Sequence, residues 1–165
     1  MSDTDRKIDE ILKIGLATEV NGHKFYKGFA ERVTREETRD KINTLADDEI
    51  KHREVLEKIY RDYFKKDPDN LPEKGLGIFE KALEGHRVTT DITAPALLDI
   101  AIEAESASRD FYMDGEKSAE SQELKEIFRR LADEEDGHFN LLTAEKNALA
   151  GLDWFAIGAS GDFEY

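Results

Sequence analysis

The sequence predicts an all-α protein, a four-helix bundle built from two helical hairpins joined by a long crossover. Three observations carry this. Apolar residues recur at helical spacing over four long segments. Only three prolines and eleven glycines interrupt 165 residues, so few turns are needed. The chain also repeats itself after 86 residues: Leu45, Ala46, Asp47, Glu49 and His52 return as Leu131, Ala132, Asp133, Glu135 and His138.

The first helix opens at Ser2 or Thr4, either of which can cap it. It carries Ile8, Leu12, Leu16, Glu19, His23, Tyr26 and Ala30 on one stripe and runs to about Val33. Thr34-Arg35-Glu36-Glu37 reads as a capping box that opens the second helix. So short a link makes the two helices antiparallel neighbours. The second helix presents Ile42, Leu45, Ala46, Glu49, His52, Leu56, Ile59 and Tyr63 inward. It ends near Lys65, where Asp67-Pro68-Asp69-Asn70-Leu71-Pro72 breaks it.

Residues 66–92 form the crossover, with a short helix expected over Ile78 to Leu83. The third helix opens near Thr93 with Pro95 in its first turn. It carries Leu98, Ala101, Ile102, Glu105, Ser108 and Tyr112 and ends around Gly115. The fourth, capped by Ser118 or Ser121, carries Leu124, Phe128, Leu131, Glu135, His138, Leu142 and Glu145 and fades near Ala148. Residues 1–150 are therefore the bundle. Residues 151–165 are a tail in which Trp154, Phe155, Phe163 and Tyr165 stand among Gly, Ala and acidic residues. That tail is read as a strap over the bundle or a dimer partner, the alternative being a docking peptide.

The repeat carries chemistry. Each copy holds Glu-x-x-His, and residues three apart on a helix share a face. Glu19 precedes Glu49 by 30 residues, and Glu105 precedes Glu135 by the same 30. Ile14, Phe25 and Tyr26 likewise recur as Ile100, Phe111 and Tyr112. Four carboxylates and two imidazoles thus interrupt apolar stripes. Burying them without partners costs several kcal/mol each, and a metal ion bound between them removes that cost. The candidate ligands are Glu19, Glu49, His52, Glu105, Glu135 and His138, with Glu49 and Glu135 bridging two ions. This donor mixture suits Fe and Mn, and Zn also fits. Tyr26 and Tyr112, each seven residues after a ligand Glu, are candidate hydrogen-bond donors to the ligand carboxylates. His23 and His86 stand outside the repeat pattern and are left out of the site.

On these residues the chain resembles the rubrerythrin branch of the ferritin-like di-iron carboxylate superfamily, from about Ile8 to Ala148. The resemblance implies a ferritin-like bundle, two iron ions, and reduction of hydrogen peroxide or dioxygen by a rubrerythrin-like oxidoreductase. The chain departs from the family pattern in two ways. Rubrerythrin peroxidases resemble one another in a further Glu three residues after the third-helix ligand, and here that position is Ser108, with Gly22 as its repeat equivalent. Glu103 lies roughly 200° round the helix from Glu105 and is expected to point away. Typical members also carry a rubredoxin-type iron centre, which this sequence has no cysteine to build.

Composition narrows the alternatives. The net charge of −14 argues against nucleic acid as a partner. No apolar run approaches the roughly 18 residues of a membrane span, and the polar, acidic start does not read as a signal peptide, so the cytoplasm is the expected location. Without cysteine, electrons must come from an external donor, a rubredoxin-like protein or another reductase. The competing readings are Fe²⁺ oxidation with iron storage of the ferritin type, and a metal-stabilised adaptor bundle. Ile11, Phe25, Phe29 and Phe111 lie beyond the inner stripes and suggest a homodimer or larger oligomer.

Overall fold

A serine opens the first helix, α1 (Asp3–Ala30), through a reciprocal cap: the Asp5 amide donates to Ser2 Oγ at 3.0 Å and the Ser2 amide to Asp5 Oδ2 at 2.8 Å. The computed structural model describes residues 1–84, 87–89 and 92–159, with side chains described for 1–83, 88–89 and 92–151. His86 and the aromatic side chains of the tail lie outside the described residues.

The second helix, α2 (Glu36–Phe64), is not opened by the expected capping box. Arg35 takes the cap position and makes no side-chain cap bond. Two acidic residues in the first turn, Glu36 and Glu37, face the positive end of the helix dipole instead. Lys65 closes the helix in the left-handed conformation at φ 56°. The expected inner residue Tyr63 is 40% exposed, and Tyr60 takes the buried place. Both tyrosines reach back to α1, Tyr60 donating to Asp9 at 2.5 Å and Tyr63 to Asp5 at 3.0 Å.

Thr93 caps α3 (Ala94–Ser118), which carries a proline in its first turn and runs past Gly115 to Ser118. Of the two candidate caps for α4 (Gln122–Ala159), Ser121 serves: its Oγ accepts from the Leu124 amide at 3.2 Å. The α4 backbone does not fade near Ala148 but continues helical to Ala159.

The crossover is built differently from the expected short helix. A single 3₁₀ turn (Phe79–Lys81) leads into a small antiparallel ladder of β1 (Leu83–Glu84) and β2 (Arg87–Val88), with Leu83 opposite Val88. It is pinned along α1. Thr18 Oγ1 accepts from the Leu76 amide at 3.0 Å, and Asn21 Nδ2 donates to Glu73 O at 3.0 Å. Gly75, at φ +50°, lies so close that a β-carbon there would meet the Thr18 backbone nitrogen at 2.6 Å. Phe79 then packs over Phe25 and Tyr26, with ring centroids 5.1 and 5.9 Å apart. Phe25 and Phe29 are buried beneath this strap, so they carry no argument for a partner subunit. Ile11 and Phe111 remain half-buried.

The core comes in two apolar clusters. One gathers Phe25, Phe29, Ile42, Leu45, Phe79, Leu98 and Leu142. The other gathers Ile8, Leu12, Leu16, Leu56, Tyr60, Leu124, Phe128 and Leu131. Along every helix the chain passes from one cluster to the other, and a glutamate stands between: Glu19, Glu49, Glu105 and Glu135. α1 and α4 run one way and α2 and α3 the other, so the crossover carries the chain back along the bundle to place the glutamates at one level. Among the described residues no helix is long and apolar enough to cross a membrane.

Candidate metal centre

All six predicted ligand residues converge in that polar layer. Glu19, Glu49, Glu105 and Glu135 are 1–3% exposed, His52 2% and His138 9%. They fall into two donor groups, Glu19–Glu49–His52–Glu135 and Glu49–Glu105–Glu135–His138, and within each the donor atoms all lie within 4.8 Å of one another. Glu49 and Glu135 belong to both groups. An ion bonded to each donor at about 2.1 Å holds opposite donors about 4.2 Å apart, so a small inward shift of the side chains meets metal geometry.

Both imidazoles turn Nδ1 inward. His52 Nδ1 lies 3.2 Å from Glu135 Oε1, 3.5 Å from Glu19 Oε2 and 3.9 Å from Glu49 Oε2. His138 Nδ1 lies 3.2 Å from Glu135 Oε2 and 3.7 Å from Glu105 Oε2. His52 Nδ1 and Glu135 Oε1 are buried and, though close, are not aligned for a hydrogen bond, so neither has a partner. Such orphaned polar atoms cost about 1–3 kcal/mol each. They fit a bound cation: nitrogen and carboxylate oxygen, unpartnered, aimed at one point.

The electrostatics of the layer are those of acids crowded into a dry place. Burial pushes Glu49 well above the usual carboxylate range, and the neighbouring Glu19 pushes it further. Glu105 rises to about 8, first through burial and then through Glu135. Burial also pushes Glu135 up, but the facing imidazoles of His138 and His52 outweigh it and hold this carboxylate below its ordinary value. Burial disfavours the charged imidazoles, yet the facing carboxylates win, raising His52 to about 11 and His138 to about 10. The layer therefore keeps protons that an entering cation must displace.

The candidate tyrosines reach the site in a crossed arrangement. Tyr26 on α1 donates to Glu105 on α3, and Tyr112 on α3 donates to Glu19 on α1. Side chains on a helix lean toward its N-terminus. A tyrosine two turns beyond its own Glu therefore drops its hydroxyl to the carboxylate level, where it meets the opposite hairpin. Burial first, then the accepting carboxylate, pushes both phenols well above their ordinary value, so they remain donors.

Gly22 and Ser108 flank the layer. A β-carbon at Gly22 would lie 3.1 Å from Glu49 Cδ and 3.2 Å from Phe79, so the missing side chain is room taken by the Glu49 carboxylate. Ser108 is buried. Glu103 points away, as expected, pairing with Lys81 at 2.6 Å on the surface. His23 lies apart from the two donor groups, its Nδ1 2.8 Å from Ala46 O.

Two residues were missed in the sequence. His52 Nε2 meets Glu134 Oε2 at 2.8 Å, and His138 Nε2 lies 3.4 Å from Asp48 Oδ2. Asp48 and Glu134 are themselves repeat equivalents, 86 residues apart, each just before a ligand Glu. That shared acidic position was the available signal.

Two antiparallel hairpins around paired glutamates and histidines define a ferritin-like carboxylate bundle, its buried cluster compatible with a di-iron site. The chain belongs to the rubrerythrin family, whose profile matches residues 10–93 and 96–150. A solved structure of a hypothetical protein from Pyrococcus furiosus is similar, with a TM-score of 0.75 and 28% identity over 93% of this chain and 95% of that one. No curated protein matches the sequence.

Proposed function

We propose that the chain is a di-iron redox protein that reduces hydrogen peroxide or dioxygen. The observation that supports this most is the sharing of Glu49 and Glu135 by two otherwise separate donor groups. Glu19 and His52 would hold one ion, Glu105 and His138 the other, with the shared pair between them. Bound there, two iron ions supply the electrons that cleave an O–O bond.

The chain's own residues set the conditions. The apolar clusters above and below exclude water and strengthen every charge interaction within the layer. Tyr26 and Tyr112 hold protons at their phenol oxygens beside Glu105 and Glu19, and they orient those carboxylates. Turning H₂O₂ into two waters takes two protons and two electrons; because bound metal displaces the layer's own protons, those two enter from outside it. Ser108 stands where rubrerythrin peroxidases have a further carboxylate, so the candidate donor residues number six here.

These 165 residues hold no cysteine for a rubredoxin-type centre, so we take the electrons from an external donor. Chemically reduced, iron-loaded protein should therefore oxidise with peroxide for one turnover and stop. A rubredoxin with its reductase should restart it. Continued peroxide consumption with NADH and this protein alone would refute the external donor. A reduced iron centre inert to both peroxide and dioxygen would refute the redox function.

A further inference from the structure

The crossover covers one half of the seam between α1 and α3. At that half Phe79 and Ala82 of the strap are buried against Phe25 of α1 and Leu97 of α3. The 86-residue repeat exchanges these two helices, carrying Phe25 to Phe111 and Leu97 back to Ile11. A similar apolar pair therefore lines the seam again beyond the polar layer, and among the described residues no strap covers it. Ile11 and Phe111 stand half-buried in a groove of about 490 Å³, rimmed by Lys7, Asp114 and Lys117. Gly115 takes the place that the bulky Phe29 has in the repeat, so that part of the wall carries no side chain.

The covered half shows what fits the open one: a short segment that lays an aromatic ring over the seam, as Phe79 does with its centroid 5.1 Å from that of Phe25. Outside the described residues the chain has Asp162-Phe163-Glu164-Tyr165, acidic and aromatic by turns. The groove suits its charge as well as its ring. In a chain of net charge −14 this rim carries two lysines, and Asp114 between them is paired with Lys117 at 2.8 Å. A locally positive rim around an apolar floor favours an acidic guest.

Reach decides which copy supplies it. Ile11 lies eight residues before Glu19, about 12 Å from the polar layer toward the start of α1. The α4 backbone runs the same way as α1 and carries Ala159 about 36 Å beyond the layer in the opposite direction. The four residues from Ala159 to Phe163 span at most about 14 Å, too little to turn back to the groove of the same chain. We propose that Asp162–Tyr165 docks in the Ile11–Phe111 groove of a second copy, Phe163 over the seam and Asp162 and Glu164 toward Lys7 and Lys117. Two copies packed antiparallel about a two-fold axis each strap the other, because such a contact is reciprocal.

The test is photocrosslinking of the full chain with p-benzoylphenylalanine in place of Phe163. Irradiation should produce a band of twice the chain's mass on a denaturing gel, and peptide mapping should join position 163 to the peptides that hold Ile11 or Phe111. Lys7→Glu combined with Lys117→Glu changes two exposed side chains, and should leave the helical circular dichroism intact while most of the doubled band is lost. Absence of the doubled band, joins within a single chain only, or joins to another surface such as the Val55–Ile127 groove between α2 and α4 would each overturn the proposal. So would a doubled band indifferent to the two lysines, or a chain that is monomeric by light scattering.

Discussion

Tyr26 and Glu105 lie on different hairpins, 79 residues apart in the chain, and are joined by a buried hydrogen bond at the level of the candidate metal ligands. The reciprocal pair, Tyr112 and Glu19, completes a two-fold pattern. Each phenol ties one hairpin to the ligand of the other, so the tyrosines bear on assembly of the bundle as well as on its chemistry.

Tyr26→Phe should destabilise the chelator-stripped protein by about 1–3 kcal/mol, because Glu105 loses its donor in a buried place. Tyr112→Phe should behave alike, and the double variant should depart from the sum, since Glu49 and Glu135 couple the two pairs within one layer. Urea unfolding with chelator present measures this. Phenylalanine variants as stable as the parent would show that the crossed bonds carry no net energy.

The spacing of the repeat made nearly the whole polar layer legible. A Glu and a Glu-x-x-His recurring at equal intervals on apolar stripes leave few arrangements that bury them together. The crossing of the tyrosines was not legible, because helical spacing fixes the face a residue shares but not which neighbouring helix its end reaches. Asp48 and Glu134 were hidden for a similar reason: one position from a candidate ligand, they sit about 100° round their own helix, and the histidine each one faces is on the opposite hairpin. Tyr60 and Tyr63 lie three residues apart near the inner stripe and both bond to α1, so helical spacing did not show which of them the core buries. The crossover's ladder, two residues to a strand, is too short for any period to show.

Gly22→Ala should disturb the site more than the fold. Its β-carbon would press on the Glu49 carboxylate carbon at 3.1 Å and on Phe79 at 3.2 Å. Overpacking of this kind costs about 1–3 kcal/mol, and here part of it falls on a shared ligand. The variant should fold, by circular dichroism, yet retain less metal after gel filtration than wild type. Unchanged metal content would mean that Glu49 moves aside freely.

Metal-free protein should lose stability as pH rises from about 6.5 to 10. His52 and His138 have folded values near 11 and 10 against an ordinary 6.5. A raised value means that the folded state binds more protons, a stabilisation complete below pH 6.5 and lost on the way to 10 and 11. Glu105, raised from 4.5 to about 8, acts in the same direction over its own range. Glu135 is lowered, so its contribution acts in the opposite sense and is lost only on acidification below its ordinary 4.5. Metal affinity should rise over the same alkaline window as protons leave the layer. Melting of chelated protein at a series of pH values checks the first statement; a melting temperature that climbs between pH 7 and 9 would reverse the sign.

The central claim is that Glu49 and Glu135 are shared by two metal ions. Protein purified without oxygen, loaded with Fe²⁺ and cleared of loose metal, should carry two iron ions per chain on elemental analysis. Replacing both glutamates, in Glu49→Ala/Glu135→Ala, should empty both positions together, because each ion loses both shared donors while keeping its own Glu and His. Full iron occupancy in the double variant would contradict the shared-ligand centre.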